Sequence, residues 1–153
     1  MVGLTFAVTA ADCGFDVCVA DRQDEGTMLD APFDGRTSAI AHASVQLLRA
    51  SGIWTGVASE AQPIRDIHVS DGESRLFLHF DHRDLGAEPF GYMVENRHTR
   101  SALFDRARAQ AGLTVYTANG VAALERGPGK VVATLNDGRE VHASLAVAAD
   151  GRG

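Results

Sequence analysis

Residues 3–22 read GLTFAVTAADCGFDVCVADR, and this stretch decides the fold. Leu4, Ala7, Val8 and Ala11 recur at helical spacing, so an apolar stripe runs along a helix that reaches Gly14. A glycine there suits the left-handed residue just past a helix end. Phe15 to Ala20 then reads as a buried strand, short and rich in β-favouring residues, and Asp21 and Arg22 stand at its end. Cys13 and Cys18, the two cysteines, fall in this helix and this strand without CxxC spacing. They are expected to be small buried hydrophobes rather than a disulfide.

Helix, strand, acid is the second half of a dinucleotide-binding βαβ unit. There a strand leads into G-x-G-x-x-G, the last glycine lets the helix pack closely, and a carboxylate at the next strand end receives the ribose hydroxyls. Gly3 fits the last glycine and Asp21 the acid, while the first strand and two glycines would lie before residue 1. On this segment alone a plainer reading stands beside it, with Gly3 a small residue near a helix start and Asp21 a solvated strand end. At the other end Ala143 to Ala149 reads as a buried strand, and Asp150-Gly151-Arg152-Gly153 as a turn. The chain is therefore expected to open inside one element and to stop in a loop.

Between the ends, Thr37 to Ser51 is predicted as a helix, with Ile40, Ala43, Leu47 and Leu48 inward and Gly52 as its stop. It follows the loop carrying Asp34-Gly35-Arg36. Ile64–Ser70, Leu76–Phe80 and Tyr92–Glu95 read as strands of an antiparallel excursion, with a turn at Asp71-Gly72. A second helix is expected from Arg97 to Ala111, then a short strand over Leu113–Tyr116. Val121–Arg126, Lys130–Leu135 and Glu140–His142 form a meander, with turns at Gly127-Pro128-Gly129 and Asn136-Asp137-Gly138.

Composition narrows the function. The 153 residues are 45% hydrophobic and 22% charged, ordinary values for a globular domain. Lys and Arg total 14 against 20 Asp and Glu, a net charge of -6, and no basic stretch marks a phosphate-backbone footprint. Nucleic acid is therefore not an expected partner. No apolar run approaches the roughly 20 residues of a membrane span, so the default compartment is the cytoplasm. His79-Phe80-Asp81-His82 gathers two imidazoles and a carboxylate, but on a strand the two histidines face opposite ways. No metal site is expected there.

Four segments in order, Asp21-Arg22, DGRTSAIAHAS (34–44), YMVENRHTRSAL (92–103) and VAADGRG (147–153), resemble the amino-terminal part of the flavin-dependent aromatic hydroxylases, the para-hydroxybenzoate hydroxylase-like group. Within it the resemblance is strongest to the ubiquinone-biosynthesis hydroxylases of polyprenylated phenols. It implies an α/β fold: a Rossmann-like domain binding FAD and NAD(P)H, with an antiparallel excursion and a β-meander, lacking its first strand. Residues 1–153 would then be an incomplete FAD-binding domain, with 64–95 reaching toward a substrate domain whose remainder is absent.

The resemblance also distributes roles. Asp21 would accept the ribose diol, Gly3 would allow close helix packing, and Arg22 and Arg36 would lie near the cofactor with planar forks for phosphate or a ring face. Asn96 would sit near the flavin and pyrophosphate while capping a helix, Val121 would lend backbone groups to the adenine, and Asp150 would be shared between flavin and nicotinamide. Each has a plain structural alternative, from surface arginine to core valine to turn-former. The implied reaction reduces FAD with NADPH or NADH and uses dioxygen to hydroxylate a phenolic, prenylated substrate, with no side chain here required as acid or base. Such a substrate implies peripheral contact with the inner membrane or a place in a biosynthetic complex. Two other readings stay open: a non-catalytic truncated fragment, and a halogenase- or geranylgeranyl reductase-like flavoprotein of the same fold.

Overall fold

The computed structural model describes residues 1–30, 35–72 and 76–151. In chain order the elements are α1 (Val2–Asp12), β1 (Val17–Ala20), α2 (Glu25–Leu29), β2 (Thr37–Ala41), α3 (His42–Ala50), β3 (Gln62–Ile64), β4 (Asp66–Ser70), β5 (Phe77–Asp81), β6 (Gly91–Glu95), α4 (Asn96–Arg108), β7 (Leu113–Tyr116), β8 (Val121–Gly127), β9 (Lys130–Leu135) and β10 (Glu140–Ala143). They divide into two compact units, Met1–Pro32 with Leu103–Gly153, and Phe33–Ala102.

In the first unit α1 buries Leu4, Ala7, Val8 and Ala11, the stripe read from the sequence. Gly14 takes φ 87°, and the short turn over residues 13–16 reverses the chain into β1. The amino end of α1 and the carboxyl end of β1 therefore lie at the same end of this α–β pair. β1 runs parallel to β7, from Val17 opposite Leu113 to Ala20 opposite Tyr116. β8, β9 and β10 form the expected antiparallel meander, bulged between Val121 and Ala123 and anchored by the buried Leu135. α2 lies where no element was expected, started by Asp24, whose carboxylate accepts the Thr27 N–H.

Two expectations fail in this unit. The strand over Ala143–Ala149 is not formed: β10 stops at Ala143 and Ser144–Asp150 continues without strand pairing. Its Leu145 and Val147 are 73% and 52% exposed. An apolar run becomes a strand only when a neighbouring backbone takes its N–H and C=O groups, and no described strand lies beside it. The cysteines are free and exposed rather than buried. Cys18 alternates outward between the half-buried Val17 and Val19, and Cys13 follows the last turn of α1, off its apolar stripe.

The second unit holds an antiparallel sheet of order β2-β6-β3 and the separate β4–β5 hairpin. Here Thr37–Ser51 departs from its helical reading. Thr37–Ala41 is β2, paired along its length with β6, and only His42–Ala50 is helical. The burial of β2 alternates residue by residue, so a period of two governs where Ala-rich composition suggested 3.6. With the helix starting late, Val45 and Leu48 turn inward and Leu47 is left exposed. Gly91 makes the β2–β6 pairing possible, because a Cβ there would collide with the Ile40 carbonyl oxygen.

The strand expected over Ile64–Ser70 breaks at Arg65 into β3 and β4. In the hairpin, Ile67 faces Phe80 and Val69 faces Leu78, while Asp66, His68, His79 and Asp81 alternate to the other face. α4 starts one residue before the expected point and ends at Arg108, short of Ala111. Glu73, Ser74 and Arg75 after the Asp71-Gly72 turn, Asp34 of the Asp-Gly-Arg loop, and Arg152 and Gly153 lie outside the described residues.

Candidate cofactor site

The carboxyl ends of parallel strands are where open α/β sheets receive ligands, because helix N-termini and loop amides converge there. Asp21 and Arg22 stand at that end of β1, where Asn119 and Gly120, just before Val121, reach them. The Asp21 N–H donates to the Tyr116 carbonyl at 2.8 Å, the Asn119 N–H to the Asp21 carbonyl at 2.9 Å, and the Ala118 N–H to the Gln23 carbonyl at 2.9 Å. The chain leaving β7 thus crosses the chain leaving β1, and Val121 starts β8 directly afterwards. The Asp21 carboxylate is half-exposed, and its Oδ1 accepts the Gln23 N–H at 2.9 Å. This local turn orients the carboxylate and leaves lone pairs on both oxygens. Arg22 packs its stem against Gly120, where an added Cβ would come within 3.2 Å of the Arg22 Cβ.

A cavity of about 440 Å³ opens beside this crossing, lined by Tyr116, Thr117, Ala118, Asn119, Asn136, Asp137 and Arg139. Asn119 is buried, and its Oδ1 accepts the Asp137 N–H at 3.3 Å. The Arg139 guanidinium lies 4.6 Å from the Tyr116 ring centre and 2.9 Å from Asp137. The Arg139 backbone N–H, the Asn119 side chain and the Arg139 charge together hold the Asp137 carboxyl below its ordinary range. Ala118 has φ 54°, a conformation that costs a residue with a Cβ about 1 kcal/mol or more. None of these residues was singled out from the sequence. The signals were present, in a polar Thr-Ala-Asn-Gly run after a strand and an Asn-Asp-Gly turn, but they read only as loop chemistry.

Gly3 and Ala149, the residue before Asp150, approach each other in the same unit. A Cβ on Gly3 would lie 3.1 Å from the Ala149 Cβ, so the segment leading to Asp150 passes tightly over the first turn of α1. The neighbour of this glycine is Ala149, not the strand that the fingerprint reading places against it. Gly151 follows with φ 79°.

The second unit brings Arg36 and Asn96 together. Asn96 opens α4, and its N–H donates to the Arg36 carbonyl at 3.1 Å. Its Oδ1 accepts the Ser38 hydroxyl at 2.6 Å, so Asn96 stands as the first residue of α4 with its side-chain oxygen on β2, and not as the side-chain cap expected of it. Around this point the Arg97 Nε lies 2.6 Å from Glu95 and the His98 Nε2 3.6 Å from Glu95 and 3.8 Å from Glu60. Away from it, the His79 Nε2 lies 2.9 Å from Asp66 and the His82 Nδ1 3.2 Å from the Arg65 carbonyl. Among the described residues no three His, Cys, Asp or Glu side chains gather as metal ligands, and no helix is long and apolar enough to cross a membrane.

A family model described as FAD binding domain matches residues 1–153. The chain belongs to this FAD-binding domain family. The domain is 44% identical over 152 residues to a ubiquinone hydroxylase, UbiL, of Rhodospirillum rubrum, covering 99% of this chain and 35% of that protein. It is 33% identical to the 3-demethoxyubiquinol 3-hydroxylase of Escherichia coli, covering 99% of this chain and 39% of the relative. The chain thus spans little more than a third of the relatives' length. Among solved structures the domain superposes on the Diels-Alderase PyrE3 with a TM-score of 0.78 at 25% identity, covering 98% of this chain and 30% of that one. A variant of P. aeruginosa PqsL gives the same TM-score at 21% identity, covering 97% and 40%, a likeness of fold alone.

The residues present suit FAD chemically. A diol needs an acceptor at a strand end, which Asp21 offers. Arg36 and Asn96, in the other unit, are of the types that donate to phosphate, a guanidinium and an amide, whereas the space over Gly3 is taken by Ala149.

Proposed function

We propose that this FAD-binding domain is part of a flavin-dependent monooxygenase that hydroxylates a phenolic, prenylated precursor in ubiquinone synthesis. The observation that carries the proposal is the 44% identity to a ubiquinone hydroxylase across 99% of the chain. In this reading Asp21 accepts the adenosine ribose hydroxyls, Val121 lends backbone groups to the adenine, Arg22 and Arg36 meet phosphate or ring faces, and Gly3 and Asp150 border the dinucleotide. FAD bound by these residues would supply the redox chemistry, with NADPH or NADH as the reductant and dioxygen as the oxidant. The chain's own residues bind, orient and exclude water, and none has to move a proton. A prenylated substrate brings with it contact at the inner-membrane surface.

The finer fold belongs to the same reading. β1 is paired with β7 on one edge only, while Ser144–Asp150 stands unpaired beside α1. These two features support a Rossmann-like sheet in which a further strand, ending in G-x-G, lies between β1 and Ser144–Asp150.

The test is FAD titrated into the isotope-labelled chain to millimolar concentration, followed by amide shifts. Asp21→Ala is expected to weaken binding about tenfold or more, the worth of one hydrogen bond to a charged group. Equal affinity in the two proteins would remove Asp21 from the site.

A further inference from the structure

We infer that Asn119 is a positioning residue for Asp21: with Ala118 it clamps the Asp21–Gln23 turn at both ends, and its side chain ties that clamp to the turn between β9 and β10. This role rests on the FAD reading above, in which Asp21 accepts the ribose hydroxyls, and it falls to a residue that need not touch the cofactor. The Asp21 carboxylate is aimed by its own local turn, the Oδ1 accepting the Gln23 N–H at 2.9 Å. A turn of this kind in a surface loop is mobile unless its backbone is held from elsewhere. Here both ends are held. The Asn119 N–H donates to the Asp21 carbonyl and the Ala118 N–H to the Gln23 carbonyl, each at 2.9 Å.

In an extended chain successive N–H groups point to opposite sides. Two neighbours that bond the same segment need a break in that pattern, and Ala118 supplies it at φ 54°, the one described residue other than glycine with positive φ. Strain of this sort persists only where the surrounding contacts over-determine it. Asn119 makes those contacts. It is buried, and its Oδ1 accepts the Asp137 N–H at 3.3 Å. A backbone N–H can only donate, so the oxygen end of the amide is settled and the NH2 end is left for the Asp137 carboxylate, whose ionised form it favours. The Asn136 N–H closes the group on the Gly120 carbonyl at 2.9 Å. A carboxylate aimed before the ligand arrives lowers the ordering cost of binding, which is how Asn119 raises affinity through Asp21.

The test is a double-mutant cycle on the 153-residue chain with Asp21→Ala, Asn119→Ala and the two together. FAD is the titrant, amide shifts give the affinity, and circular dichroism is the control for folding. Asn119→Ala should weaken FAD binding about fivefold where Asp21 is present, and by less than about twofold where Asp21 is already replaced, because the effect passes through that carboxylate. An equal loss in both backgrounds marks a merely structural role and overturns the inference, as does wild-type affinity in Asn119→Ala. A second measurement needs no variant and decides the matter if Asn119→Ala does not fold. In the FAD-free wild type the Ala118 and Asn119 amides should exchange with solvent about tenfold or more slower than in an unstructured peptide, since the clamp is in place before binding; exchange at the unstructured rate overturns it. Unchanged FAD affinity in Asp21→Ala alone removes the positioning role together with Asp21's own, while FAD binding itself stands. No FAD response anywhere in the chain defeats the FAD reading, and with it the role given to Asn119.

Discussion

Thr99 has the one side-chain oxygen that is buried without a hydrogen-bond partner among the described residues. It lies in the first turn of α4, three residues after Asn96. An unmade hydrogen bond in the interior costs about 1–3 kcal/mol, whereas an apolar group of the same shape carries no such debt. Thr99→Val should therefore raise stability by about 1 kcal/mol, read as a higher denaturant midpoint at unchanged slope. A lower midpoint would mean that the hydroxyl is partnered, by water for example. At this scale the sequence was legible where chemistry is local. Asp21 at a strand end and Asn96 at a helix start announce themselves by type and place. Ser38 and Asn119 do not, because their meaning comes from partners 58 and 18 residues away, and a single sequence carries no record of those meetings.

Among the elements, β2 is the instructive case. TSAIA has small and β-branched residues that suit either state, and the helix after it supplied a period that was extended backwards by five residues. Pairing with β6 decides the matter, since every residue of β2 finds a partner there. The pairing hangs on Gly91, whose missing Cβ leaves room for the Ile40 carbonyl and the Ala41 Cα. Gly91→Ala should force the two strands apart and destabilise the unit by roughly 2–4 kcal/mol, in the range of overpacked or strained core substitutions. Loss of hydrogen-exchange protection along Thr37–Ala41 would locate the damage, and wild-type protection in the variant would show that the strands can shift without cost. The opposite failure, at Ala143–Ala149, has the same cause. A strand is a property of two backbones, and the apolar pattern of one shows only that it could be paired.

Over the whole molecule, the helix–strand–acid opening, the meander and the two long helices follow the order read from the sequence, and the family match covers residues 1–153. What composition could not show is how much of the nucleotide site these residues complete by themselves. β1 offers one unpaired edge, Ser144–Asp150 carries exposed Leu145 and Val147, and α1 leaves Val2 and Phe6 exposed at 77% and 50%. Exposed edges and apolar side chains of this kind are costly in water and favour pairing with a further strand. That strand, in the proposed arrangement, also brings the glycine turn whose amides face the pyrophosphate. The most direct measurement compares the FAD affinity of the 153-residue chain with that of the same chain carrying an apolar strand ending in G-x-G ahead of Met1. Weak binding and a broad melt are expected for the first, and for the second a gain of about a hundredfold or more with a sharper, higher melt. Micromolar binding and a cooperative melt in the unextended chain, unchanged by the extension, would contradict it.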